Sequence, residues 1–145
     1  MSEVTATSLH RIAAALLGLA LMFAAATDYI PAFIDAQGRV FGLFYLDVYK
    51  DALHVVSGLW AFSATAISRN ASEQFLKIFG TLYFLDGVVG VITGSSYLDL
   101  SLFIEGVRDT PQSIKFLSSI PHLSLGAFGI LTGWLLGRIN VSRSA

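Results

Sequence analysis

Three side chains in this sequence could do chemistry away from water: Asp86, His54 and His122. Asp86 stands near the middle of a long apolar run, where a carboxylate costs about 2.5–3.5 kcal/mol to place in lipid. It needs a proton or a partner there. At helical steps of three and four, its face carries Tyr83, Gly90, Thr93 and Gly94, which directs it toward neighbouring helices. One chemistry this permits is a proton or ion relay with a histidine; the plainer reading is a hydrogen-bonded carboxyl that joins helices. His54 and His122 each precede a glycine by four residues, Gly58 and Gly126. Two neutral imidazoles on different helices at one depth suit the axial positions of a b-type haem, or single ligation of chlorophyll magnesium, with the glycines admitting a flat macrocycle. The plainer alternative has each ring bonded to a carbonyl or hydroxyl, and the glycines serving only close helix packing. Lys50 and Asp51 are weaker candidates for the relay. With Asp47 and His54 they share one helix face at i, i+3, i+4 and i+7, where the charges can pair with one another.

The elements that must position these residues are membrane spans. Residues 116–137 carry no formal charge and are long enough to cross a hydrocarbon core of about 30 Å at about 1.5 Å per residue. One face of that run holds His122, Gly126, Gly129, Gly133 and Gly137, a groove that calls for another helix. Three further runs read as spans, so the whole chain, 1–145, is expected to be one all-α transmembrane four-helix bundle with spans near 9–30, 47–68, 75–97 and 116–137. Gly58, Gly90 and Gly94 join the glycines of the last span as expected packing positions. Ser72 is read as the cap of the third span. Residues 12–27 resemble a signal-peptide core with Ala24, Ala25 and Ala26 as a cleavage site, but the repeat described below favours a retained span.

Composition narrows the function classes. The chain has 145 residues, 54% hydrophobic and 13% charged, against about 25% charged in soluble domains. It has no cysteine, which removes disulfides, thiolate catalysis, iron-sulfur clusters and zinc fingers. No basic run points to nucleic acid, and no phosphate loop, dinucleotide fingerprint, metal-hydrolase motif or nucleophile elbow is present. The connection over 31–46 is expected to lie on the membrane, with Phe33, Phe41, Phe44 and Tyr45 at the headgroup level. With both termini cytoplasmic, that side gains Arg11, Arg69, Lys77, Arg138 and Arg143 against Arg39, Lys50, Arg108 and Lys115 opposite. Five basic residues against four is a slight positive-inside bias.

A shift of 68 places Tyr29 on Tyr97, Gly38 on Gly106, His54 on His122 and Gly58 on Gly126 without a gap. Each half would hold two spans, so the expected architecture is a tandem 2+2 repeat of helical hairpins with parallel topology. The span order, residues 51–61 (DALHVVSGLWA) and residues 120–126 (IPHLSLG) resemble a family of small bacterial four-helix membrane proteins catalogued as a domain of unknown function. The chain departs from that family's pattern in Lys50 and Asp51 ahead of the first histidine and in Pro121 beside the second. The resemblance implies a fold and a bacterial inner-membrane location, and no activity.

Three function classes follow, the last of them an enzyme acting on lipid, which has only the interfacial acids in its favour. The first is a non-enzymatic structural or accessory subunit that packs through its glycine faces, within itself, with a membrane partner or as a homo-oligomer. The second is a tetrapyrrole-binding or proton-handling protein that uses His54, His122 and Asp86.

Overall fold

The computed structural model describes residues 2–141, with side chains described for 9–136. Gly137, Arg138 and Arg143, used above for packing and orientation, lie outside the described side chains. Five α-helices and one 3-10 turn make up the regular structure of these residues: α1 (Ser2–Thr27), a turn at Pro31–Phe33, α2 (Val48–Ile67), α3 (Arg69–Thr93), the short α4 (Ser101–Ile104) and α5 (Gln112–Val141). The described residues form no strand, only isolated bridges in the first connection, where Val40 pairs with Ile34 and Phe44.

Each boundary has a local cause. Asp47 starts α2 by accepting the N–H groups of Tyr49 and Lys50, both at 3.0 Å, which satisfies two donors that a helix start leaves free. Ser68 alone separates α2 from α3, ending one and capping the other through a 3.0 Å bond from the Ala71 N–H. The expected cap at Ser72 is therefore corrected. Its hydroxyl instead donates back to the carbonyls of Ala64 and Ser68 and sews the two helices together. This lengthens α3 by six residues at its start relative to the expected span over 75–97. Gly94 ends α3 at a φ of 76°, a left-handed position that glycine takes without a Cβ clash.

The molecule is apolar both inside and out. The core is built from Ala13, Ala14, Leu17, Leu21, Ala61, Ala64, Phe75, Leu76, Phe79 and Tyr83, with buried Asp86, His54 and Ser72 near it. Large apolar side chains such as Leu19, Val56, Ile67, Ile92 and Leu131 point outward. Three helices, over Leu9–Thr27, Arg69–Thr93 and Gln112–Leu136, are long and apolar enough to cross a membrane. The region expected as the second span is not among them, because Lys50, Asp51 and His54 fall in the first two turns of a helix of only 20 residues.

α3 packs most extensively on α5, and α1 on α2. The α3–α5 seam is a glycine seam. A Cβ built on Gly80 would lie 2.5 Å from the Ile130 nitrogen and 2.7 Å from the Gly129 carbonyl carbon, and one on Gly133 would lie 3.0 Å from the Lys77 nitrogen. Gly126 meets the Phe84 backbone just as closely. On the other side, Gly58 receives Met22 and the Gly18 carbonyl of α1.

Candidate site: a histidine pair over a capped carboxylate

Asp86 lies two turns before the end of α3 and is 1% exposed. Beyond Gly94 the chain does not leave the helix end but folds back along it. Ser95 donates to the Gly106 carbonyl at 2.6 Å, the Ser96 N–H donates to the Ser101 hydroxyl at 2.9 Å, and the Tyr97 hydroxyl reaches the Leu82 carbonyl at 2.7 Å. This return presents a ring of donors to the carboxylate. Oδ1 accepts the N–H groups of Tyr97 at 2.8 Å and Leu98 at 2.9 Å, and the Ser96 hydroxyl lies 2.8 and 2.7 Å from the two oxygens. Oδ2 also meets Nδ1 of His122 on α5 at 2.5 Å. A buried carboxylate so surrounded is satisfied as an anion, since each donor offsets part of its lost hydration.

The pairing also sets the histidine. With Nδ1 held by a carboxylate, Nε2 of His122 is the nitrogen left to face a ligand, an arrangement in which a second partner fixes the ring's orientation. Tyr83 packs on the same ring, centroids 4.8 Å apart, at the top of a column formed with Phe79 and Phe75 at steps of four along α3. His54, from α2, stands across from it, with ring centroids 6.3 Å apart and planes at 89°. Among the described residues the His54 ring makes no hydrogen bond, and its Nδ1 is sealed from solvent. An orphaned buried nitrogen of this kind calls for a partner beyond the protein groups present.

Both imidazoles and Asp86 line one cavity of about 500 Å³, within the size range of small-molecule sites. Its walls mix apolar side chains from the first connection, Phe41 and Phe44 among them, with small residues, Ala24, Thr27, Gly90 and Ser119. The glycines one turn from each histidine contribute nothing to this space. Gly58 and Gly126 are filled by helix packing, so the room expected of them comes instead from the small residues named here.

The remaining sequence candidates divide. Lys50 lines the cavity, paired with Asp47, and its Nζ stands 3.9 Å from the buried Asp99. Asp51 faces away and accepts the Tyr29 hydroxyl at 2.9 Å, joining the end of α1 to the start of α2. That hydroxyl's pKa is raised, first by its hydrogen bond to Asp51 and then by the charge of the same carboxylate. Gly90 packs against Ser119, and Gly94 serves as the helix end. Sequence reasoning missed Ser96, the N–H groups of Tyr97 and Leu98, and the cavity residues Arg39 and Arg108. The doublet Ser95-Ser96 directly after a helix-ending glycine was the available signal for a capping return.

No family model, curated protein or solved structure matches this chain.

Proposed function

We propose that the protein is a four-span integral protein of a bacterial inner membrane, with both termini cytoplasmic, and that it binds a metallo-tetrapyrrole between His54 and His122 without acting as an enzyme. The carrying observation is the separation of the two rings. Imidazoles bound to opposite sides of one metal at about 2.0–2.1 Å hold their centres about 6.4 Å apart, counting about 1.1 Å from centre to nitrogen. Two bound at a tetrahedral angle would stand about 5 Å apart. The 6.3 Å between His54 and His122 equals that of the axial pair, and it also lies within the range of direct edge-to-face ring contact, the planes standing at 89°. Asp86 fixes the His122 ring, and the cavity supplies the room.

Four spans accord with the pairing of α1 with α2 and of α3 with α5, which are the two closest helix pairs. A 2+2 repeat accords with it as well. The shift of 68 carries α1 onto α3 and α2 onto α5, and carries Gly38, at a φ of 77°, onto Gly106, at 74°. α2 crosses the membrane in this arrangement because its charged first turns sit among the connections and not in lipid. The glycine faces of α3 and α5 are spent on each other, which leaves the structural reading as self-packing and not as a partner surface.

An absorbance spectrum of the purified protein, as isolated from a haem-synthesising host and after addition of haemin, tests the reading. A Soret band with the low-spin features of two imidazole ligands is expected, lost in His54→Ala and in His122→Ala at unchanged helix content. A folded protein that stays colourless and leaves the haemin spectrum unaltered overturns it.

A further inference from the structure

We propose that the ligand of this site carries carboxylates, and that Arg39, Lys50 and Arg108 receive them; the proposal rests on the tetrapyrrole reading and specifies which kind is bound. These three cations reach the cavity wall from three separate segments: the first connection, the first turn of α2 and the second connection. Two of them belong to the connections and the third to the helix start that the first connection leads into, and all share the cavity with the imidazoles.

The charge balance of the wall is one-sided. Each cation has an acidic partner, Asp35 for Arg39, Asp47 for Lys50 and Glu105 for Arg108, but none of those acids lines the cavity. The two acids that do line it are occupied. Asp86 is ringed by donors from Ser96, Tyr97, Leu98 and His122, and Asp99 accepts the Ser101 N–H at 2.9 Å and faces Lys50. Arg39 spends its Nε on Asp35 at 2.8 Å and an Nη2 hydrogen on Gln37 at 3.3 Å; Arg108 spends Nε and Nη2 on Glu105. Both guanidinium groups keep N–H donors for a further carboxylate, in the planar geometry that suits bidentate pairing.

An apolar body with a metal at its centre and acidic groups on one edge fits this gradient. The metal would meet the imidazoles, the ring the apolar wall, and the acids the cationic end, where the headgroup region also keeps them wet. A neutral, esterified macrocycle has no use for those cations. The site therefore favours a dicarboxylate tetrapyrrole over a neutral one.

The test compares iron protoporphyrin IX with its dimethyl ester, each titrated into the full-length protein in detergent micelles and followed in the Soret region. The free acid is expected to bind about tenfold more tightly, the sum of two partly exposed ion pairs. That ratio is expected to narrow in the Arg39→Gln, Arg108→Gln double variant. Because the ratio is taken within one protein, a general loss of fold, which weakens both forms together, does not narrow it. Equal affinities in the wild type, or a ratio unchanged in the double variant, overturn the role of the cations and leave the axial pair standing. Failure of both forms to bind removes the axial pair and this proposal together.

Discussion

Gly80 of α3 and Gly129 of α5 lie backbone against backbone: a Cβ on Gly129 would stand 2.8 Å from the Gly80 Cα and 2.9 Å from the Leu76 carbonyl oxygen. Neither neighbour is a side chain that can swing away. Gly129→Ala is therefore expected to force the helices apart and cost about 1–3 kcal/mol, as overpacking does. Leu131→Ala, on the outer face two residues on, is expected to cost far less. Thermal melts of the two variants in one detergent, followed by circular dichroism, make the comparison. Equal melting temperatures would mean that the seam is looser than described.

Asp86→Leu removes the acceptor shared by the Tyr97 and Leu98 N–H groups and leaves His122 without its orienting partner. Leaving buried hydrogen-bonding groups without their partner typically costs about 1–3 kcal/mol. Asp86→Asn keeps an oxygen for the backbone donors and should be milder. It should also change which nitrogen of His122 carries the proton, a difference readable in imidazole nitrogen chemical shifts. If Leu and Asn prove equally harmful, the backbone donors do not matter and the ring of hydrogen bonds is incidental.

A pH effect is expected in the first connection. The Arg39 N–H, donating to Asp35 at 2.8 Å, is the largest influence on that carboxyl; with the Arg39 guanidinium and the Gln37 N–H it holds the carboxyl below its ordinary range, against a smaller opposing effect of burial. A carboxyl lowered in the folded state lends stability that is fully present above its unfolded value, about 3.9, and is lost as pH falls through the folded value. Hydrogen-exchange protection of the Gln37, Gly38 and Arg39 amides should hold from pH 7 down to about 4 and decline below it. Asp35→Asn should lack protection there at every pH. A decline already complete by about pH 5 would assign the turn to some other group.

The absence of cysteine makes topology directly measurable. Single cysteines at Gln37, Asn70 and Asp109, all on exposed positions, should separate into two groups with a membrane-impermeant maleimide. Gln37→Cys and Asp109→Cys are expected to react in intact cells, and Asn70→Cys only after the membrane is opened. Reaction of positions 37 and 70 from the same side would show that α2 does not cross.

Much of the helix layout was legible because apolar run length carries it. Asp86 stood out as an acid in an uncharged stretch, and the two histidines stood out through their common spacing to glycine. The donors to Asp86 were not legible. Ser96, Tyr97 and Leu98 read as ordinary interfacial residues after a helix, and only the left-handed turn at Gly94 brings their N–H groups back beside residue 86. The cap of α3 failed for a related reason: Ser68 and Ser72 are both serines near a polar turn, and the choice between them depends on whether α2 stops early or late, which propensity does not decide. Nor could the sequence show how the polar groups of α2 are spent, Lys50 on Asp47 and Asp99 and Asp51 on Tyr29.

The fold-back after α3 has a consequence for biogenesis. Every donor to Asp86 lies later in the chain than the carboxyl itself: Ser96 by 10 residues, Tyr97 by 11, Leu98 by 12 and His122 by 36. During synthesis α3 leaves the ribosome ahead of every one of them. The acid is without these partners until the return has folded back and α5 has followed. The return and α5 therefore complete the hairpin together, since the carboxyl has its full set of partners only when the last helix is in place.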